Sequence, residues 1–493
     1  MATNATQRSY RAPCPGCGAP VEFRSAQSTH AVCSYCRSTV VRSGDVLTRV
    51  GKMAELFDDH SPLQLMASGR IQLDGKDLPF TLVGRLQYKS DAGVWTEWAA
   101  SLNDGTLATL GEDNGAYVFT RPIDPGRELP PPERFRVGTT TAINGKSYSV
   151  AYNGQAQLVS AQGELPKLPA LGHPFGMVEL RSADGEVVSI DYGHQPPSVE
   201  RGRAVQLDDL QLKGLKDESA KDEEGRKFSC PQCGAPVEVK LATTQSLTCR
   251  SCRSIISLGT GIGGELRAAQ QRSPITPLIE LGAVGQLQGV HWQVVGFQRR
   301  QGQVPGDSDR FHWSEYLLYN QKRGFSFLVD SEEGWSLVRP TTGAPELSSN
   351  GRTATYLGTR YQVKYSYDAE TTYVLGEFYW PVKSGQKTSN SDFESKKGML
   401  SLERSPGEVT WSSGDTIDSD AVAKAFKLEG KKEMFRREDP GPTVGGEVGW
   451  VKTVAIIVAI MLVMSLLENC SDMTFSRSSG GSFGGYSSGG SHK

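Results

Sequence analysis

Eight of the nine cysteines form four C-x-x-C pairs: Cys14/Cys17, Cys33/Cys36, Cys230/Cys233 and Cys249/Cys252. Fifteen residues separate Cys17 from Cys33, and fifteen separate Cys233 from Cys249. This is ligand spacing. Two tight knuckles bring four thiolates together as a tetrahedral shell for a zinc ion. Gly18 and Gly234 follow the second cysteine of each first knuckle and suit the turn that aims backbone N–H groups at sulfur. A shell of four protein ligands leaves no position for a catalytic water, so the expectation is two structural Zn2+ ions. No further ligand recurs, since His30 aligns with Ser246. The first residues, MATNATQRSYRAPCPG, contain no apolar signal-peptide core, so the cysteines read as reduced thiols of a cytoplasmic compartment.

A second constellation repeats outside the cysteines. Trp95-x-Glu97-Trp98 matches Trp313-x-Glu315-Tyr316. In a strand, residues i and i+2 share a face, so each Trp lies beside a carboxylate. With Glu377, Tyr379 and Trp380, the residues Trp313, Glu315 and Tyr316 make a candidate ligand face for a small, polyamine-like cation. The competing reading is a core tryptophan with a cross-strand glutamate pair, the ordinary unit of sheet stabilisation. Other motifs fail their context. Gly259-Thr-Gly261-Ile-Gly263-Gly264 precedes too little chain for the helix a dinucleotide site needs, and the first copy has no counterpart. Asn144-Gly145-Lys146-Ser147 lacks the first glycine of a phosphate loop and reads as a hairpin turn. No catalytic residues are assigned, and the protein is expected not to be an enzyme.

The elements that position these residues come as a tandem duplication. CPGCGAPVEFRSAQSTHAVCSYCRS recurs 216 residues later as CPQCGAPVEVKLATTQSLTCRSCRS. Beyond it, Leu82-Val83-Gly84 matches Val294-Val295-Gly296, Arg121-Pro122 matches Arg339-Pro340, and Gly163-Glu164 matches Gly376-Glu377. Short alternating runs rich in Tyr, Phe, Val and Thr, such as LPFTLVGRLQY and TTYVLGEFYW, predict strands. Within the ribbon and barrel copies, helices are expected over 45–58 and 418–428, the latter capped by Asp418 or Ser419. The fold class is therefore mainly β, with two four-cysteine ribbons and two β-rich barrel- or sandwich-like domains. The divisions are a flexible N-terminus 1–13, ribbon 14–42, helical connector 43–60, β-rich copy 61–200 and charged linker 201–228. Ribbon 229–258, connector 259–273, β-rich copy 274–429 and linker 430–447 follow.

Residues 448–467, VGWVKTVAIIVAIMLVMSLL, carry one charge and are long enough for a helix across a hydrocarbon layer of about 30 Å. Lys431, Lys432, Arg436, Arg437 and Lys452 flank its N-terminal side, which places 1–447 in the cytoplasm. The tail 468–493 is Gly/Ser-rich low complexity and is expected to be disordered. A net charge of −2 over 493 residues excludes a globally basic nucleic-acid binder. The ribbons are locally basic, with five Arg against one Glu over 8–42, but a zinc ion with four thiolates carries −2 and calls for such neighbours.

Taken together, the ribbon, the Val-Val-Gly strand, W-S-E-Y at 313–316, the Gly-Glu-Phe-Tyr-Trp-Pro run at 376–381 and the later pieces Met399–Ser401, Glu403 and Trp411–Gly414 resemble bacterial proteins carrying the domain of unknown function 4178. The resemblance covers roughly 61–200 and 274–415. It implies a setting of membrane-stress components and polyamine-synthesis-like enzymes. The reading is a scaffold or binding protein on the bacterial inner membrane, with one span and an unknown protein partner; the alternatives are a sensor or enzyme for a small polyamine-like cation on the Trp/Glu face, and a nucleic-acid binder using the basic ribbons.

Overall fold

The computed structural model describes residues 10–436 except 26, 44–45, 53–60, 74, 91–92, 114, 171, 217–225, 242–243, 259–266, 272–274, 307–309 and 406–407. Each half is a closed antiparallel barrel of eight strands. In the first half the order runs Lys76–Lys89, Val94–Leu102, Leu107–Asp113, Ala116–Pro122, Ser198–Val205, Glu186–Asp191, Phe175–Arg181 and Lys146–Leu165, which pairs back onto Lys76–Lys89. In the second it runs Val290–Gln303, Arg310–Asn320, Gly324–Ser331, Gly334–Pro340, Glu408–Ile417, Gly398–Ser405, Lys387–Ser395 and Thr359–Phe378, which again returns to the first strand. Closure removes the sheet edges, which an open eight-stranded sheet would have to protect in another way.

The closing strand is long, 20 residues in each copy, because beyond its hairpin partner, Thr140–Ile143 or Thr353–Tyr356, it serves three more neighbours in turn. Lys146–Leu165 pairs with Phe175–Arg181, then with Lys76–Lys89, and finally through Gly163–Leu165 with His30–Val32 of the ribbon. Glu377 and Phe378 make the same last pairing with Leu247 and Ser246. Ribbon and barrel therefore share one sheet.

The repeated Val-Val-Gly and Gly-Glu pieces are this seam. Gly84 faces Gly163 and Gly296 faces Gly376, with a bulge one step before Gly84 and Gly296. A Cβ on Gly84 would lie 1.8 Å from the Glu164 carbonyl oxygen, and one on Gly376 would lie 2.2 Å from that of Val295.

Side chains from strands that are not neighbours meet inside each barrel, and apolar residues also cover the outside. Trp292, Phe297, Tyr316 and Trp335 of the second barrel pack outward against Ile279, Val422 and Phe435. The helix Ser419–Ala425 is capped as expected, the Asp418 carboxylate accepting from the N–H groups of Asp420 and Ala421. Asn144 and Gly145 both adopt positive φ, 49° and 78°, in the expected hairpin.

Several boundaries need correction. Where a helix was expected over 45–58, Val46–Lys52 is a strand paired with Ser38–Ser43, since an open ribbon edge offers a short segment more hydrogen bonds than an isolated helical turn does. Tyr10–Pro13, placed in the flexible terminus, is a ribbon strand. The linker 201–228 begins with the end of a barrel strand, and Leu210 beyond it is buried in the first copy's core. The linker 430–447 begins with Lys432–Phe435, whose Phe435 is fully buried and accepts a bond from Trp335 Nε1 at 2.8 Å. In the connector 259–273, Arg267–Ala269 is a strand paired with Ile255–Ser257 of the second ribbon. Among the described residues no helix is long and apolar enough to cross a membrane; the segment 448–467 and the tail lie outside them.

Candidate metal centres and barrel interiors

Each ribbon sets its cysteines on two knuckles. Gly18 N donates to the Cys14 carbonyl and Arg37 N to that of Cys33; Gly234 and Arg253 repeat this at Cys230 and Cys249. Both turns need a residue at positive φ, which Gly18, Arg37, Gly234 and Arg253 supply. The ligand atoms of Cys14, Cys17, Cys33 and Cys36 all lie within 4.8 Å of one another, as do those of Cys230, Cys233, Cys249 and Cys252. Sγ atoms of Cys14 and Cys36, and of Cys17 and Cys33, are 3.7 Å apart, and the second ribbon has the same spacings. Four sulfurs about 2.3 Å from a tetrahedral ion stand about 3.8 Å apart, so the donor set fits a metal of that size.

The surroundings fit thiolates. Gly16 N donates to Cys14 Sγ at 3.3 Å. The Ser38 hydroxyl, 3.2 Å from Cys36 Sγ, brings that thiol down to about 6, and Ser254 does the same for Cys252. Burial pushes Cys14 the other way. Full deprotonation of the set therefore depends on the cation, and binding releases protons.

The ribbons are held to the barrels by the glutamate of the Gly-Glu pair. Glu164 Oε2 accepts from the backbone N–H groups of Arg24 and Ser25 at 2.6 and 2.9 Å. Glu377 accepts from Lys240 N, Leu241 N and Thr244 Oγ1. Glu377 is therefore occupied by the ribbon and does not face a ligand.

The other members of the expected ligand face are dispersed as well. Trp313 and Glu315 point into the second barrel, where the Trp313 indole donates to Glu315 Oε1 at 2.6 Å. Tyr316, one residue on, faces outward, and its hydroxyl accepts from Leu278 N at 3.0 Å. Tyr379 and Trp380 join the interior apolar cluster and are buried. Trp313 and Glu315 share the interior face as their i, i+2 spacing predicts, but alternation sends Tyr316 outward and the ribbon takes Glu377.

The second barrel instead holds a buried charge cluster. Arg300 reaches across the interior from Val290–Gln303. Its NH1 donates to Glu403 Oε2 at 2.9 Å and lies 3.6 Å from Glu315 Oε1; its NH2 donates to Thr388 Oγ1 at 2.7 Å. The guanidinium carbon sits 5.4 Å from the Trp313 ring centroid. Gln298 donates to the other Glu315 oxygen, and Asn390 donates to Glu403. Burial opposes the charge on Arg300, but Glu403 and Glu315 outweigh it. Burial pushes Glu315 up to about 7 against the pull of Arg300, and raises Glu403. Asp392, bonded by the Ser401 hydroxyl at 2.6 Å, also rises to about 7 through burial.

Sequence reasoning missed Arg300. The signal was available: in GFQRRQG one arginine must share the inward register of Trp313, where an unpaired cation is not tolerated.

The first barrel keeps the Trp–Glu pair, Trp95 Nε1 donating to Glu97 Oε1 at 3.0 Å. Its interior is a cavity of about 390 Å3, reached by Trp95, Glu97, Asp191, His194 and Glu200.

The two barrels coincide with known sequence. The model of the domain of unknown function DUF4178 matches residues 67–207 and 280–419, together more than half of the chain. No curated protein and no solved structure matches. The matched ranges begin just before the first barrel strand of each copy and end just after the last, so the family's unit is the closed barrel and the ribbons lie outside it. The chain belongs to the DUF4178 family and carries two copies of its domain, each preceded by a four-cysteine site that fits a metal ion.

Proposed function

We propose that this protein is a non-enzymatic binding scaffold of the bacterial inner membrane, anchored by 448–467 with its barrels in the cytoplasm, where it recruits a protein partner. Two zinc ions are structural parts of it. One observation carries the reading: in both copies four thiolates converge at tetrahedral spacing, and a barrel carboxylate grips the ribbon that bears them. A metal so enclosed keeps no open position for substrate, and its role is to fold the ribbon. The arginines near it also have local work. The Arg42 guanidinium lies 5.5 and 5.2 Å from the Tyr10 and Phe23 ring centroids, which supports a ribbon that serves the fold rather than a nucleic acid.

Metal analysis of the purified protein is expected to give two zinc equivalents per chain and to lose about one on Cys14→Ser/Cys17→Ser. Zinc retention is expected to fall as pH is lowered, because protons compete for the thiolates. A near-zero content with protected ribbon amides would overturn the zinc reading. Removing 448–493 is expected to release the protein from membranes. A truncated chain that stays with membranes after a salt wash would overturn the anchor.

A further inference from the structure

Strand register aligns the two barrels residue by residue, and the alignment shows why one is full and the other open. Gly84 and Gly296 occupy the same seam position, which makes Tyr88 the counterpart of Arg300. Thr109 stands in the place of Phe327, each beside the residue two after the paired glutamate. Pro166 and Lys167 follow the Gly-Glu pair where Tyr379 and Trp380 close the second barrel. Tyr88 is as large as Arg300 but stacks back on Trp95, while Phe327, Tyr379 and Trp380 have smaller counterparts, and a cavity of about 390 Å3 remains. That volume lies in the range of small-molecule sites and far exceeds what a bare ion needs.

The acidic positions persist. Glu97 matches Glu315, and Asp191 matches Glu403, the two carboxylates that hold the Arg300 guanidinium. A third, Glu200, is added where the second copy has Ser412. Against these three the cavity lining carries one lysine, Lys167, and one histidine, His194, whose Nε2 lies 3.4 Å from Asp191 Oδ2 and whose Nδ1 is buried without a hydrogen-bond partner. Tyr88 stacks on Trp95, with ring centroids 5.3 Å apart at 20°, and both line the cavity. The charges of Glu97, Asp191 and Glu200 add to burial in raising the Tyr88 phenol, so all three fields converge there.

We propose that the first barrel binds a small organic cation of the guanidinium class, received by Glu97, Asp191 and Glu200 beside Tyr88 and Trp95. The second barrel supplies the pattern: equivalent acids and the equivalent tryptophan hold a guanidinium that belongs to the chain itself. Carboxylates give charge-assisted hydrogen bonds, and the buried Tyr88 and Trp95 rings give a cation face. The inference depends on neither the zinc ions nor the membrane anchor.

The test is calorimetry of the detergent-solubilised full chain with n-butylguanidinium, its neutral isostere n-butylurea, and Mg2+. Butylguanidinium is expected to bind at least ten times more tightly than butylurea, and Mg2+ not to compete. Glu200→Gln keeps one of the two oxygens that accept from Thr109 and Thr120 and offers its amide N–H to the other hydroxyl, so it is expected to fold while weakening butylguanidinium at least tenfold. Tyr88→Arg rebuilds the internal guanidinium of the second barrel; it is expected to abolish binding while leaving the melting temperature unchanged or higher. Equal binding of butylurea, displacement by Mg2+, no heat at millimolar butylguanidinium, or full affinity in a folded Glu200→Gln or Tyr88→Arg variant would each overturn the proposal.

Discussion

Arg300→Met is expected to destabilise the second barrel by about 3–5 kcal/mol at pH 7.5, the cost of leaving buried charge without its partner. The arginine is fully buried, and its NH1 contacts both Glu315 and Glu403. Methionine fills much of the space and isolates two acids in an apolar interior. They then escape the penalty only by taking up protons, which gives the effect a pH dependence. Glu315 already stands at about 7 in the folded protein, above its ordinary value near 4.5, because of burial. A carboxyl raised by folding binds more protons in the native state, so its contribution is complete below the unfolded value and is lost as pH rises through the folded one. Without Arg300 the folded values of Glu315 and Glu403 move higher still. The penalty should therefore be small at pH 5 and grow toward pH 8. Hydrogen exchange of amides in Val290–Gln303 and Gly398–Ser405, compared between variant and wild type across that range, measures it. Adding Glu315→Gln and Glu403→Gln to Arg300→Met should recover most of the loss at pH 7.5, since no charge then remains to be buried unpaired. A loss independent of pH would show that packing, not charge, is what Arg300 provides.

Gly376→Ala is expected to cost about 2–5 kcal/mol, combining left-handed backbone strain with a steric clash. The residue has φ +89°, and its Cβ would fall 2.2 Å from the Val295 carbonyl oxygen, a backbone atom fixed by the barrel. Gly358 is the control. Its φ is +72°, but nothing lies within 4 Å of a Cβ there, so Gly358→Ala should show the strain alone, about 1–3 kcal/mol and less than Gly376→Ala. The seam position also carries the ribbon, because Glu377 is the next residue. In Gly376→Ala the amides of Lys240 and Leu241, which donate to Glu377, should lose protection together with those of the closing strand. Equal costs for the two alanine variants would remove the steric part of the argument.

The four-cysteine sites, the duplication and the strand-rich composition were legible in the chain because each is local. A knuckle is closed by a few residues, and the spacing of its cysteines shows the ligand set directly. The repeats Gly84/Gly163 and Gly296/Gly376 were visible as matched letters, but their meaning was not. Their requirement comes from a partner strand some eighty residues away, and no local propensity records that approach. Residues 45–58 show the same limit. Their apolar spacing permits a helix, and only the open edge of Ser38–Ser43 makes Val46–Lys52 a strand. The expected ligand face was misdrawn for a related reason. Trp313, Glu315, Tyr316, Glu377, Tyr379 and Trp380 were grouped as aromatic-plus-acid pairs from two separate stretches, whereas period-two alternation and barrel closure assigned them to the interior, the outer face and the ribbon. Whether an interior is filled or open depends on the sum of side-chain volumes arriving from eight strands. The sequence by itself therefore determined what can bind a metal, while only closure of the barrels decided that Arg300 fills one interior and that Thr109, Pro166 and Lys167 leave room in the other.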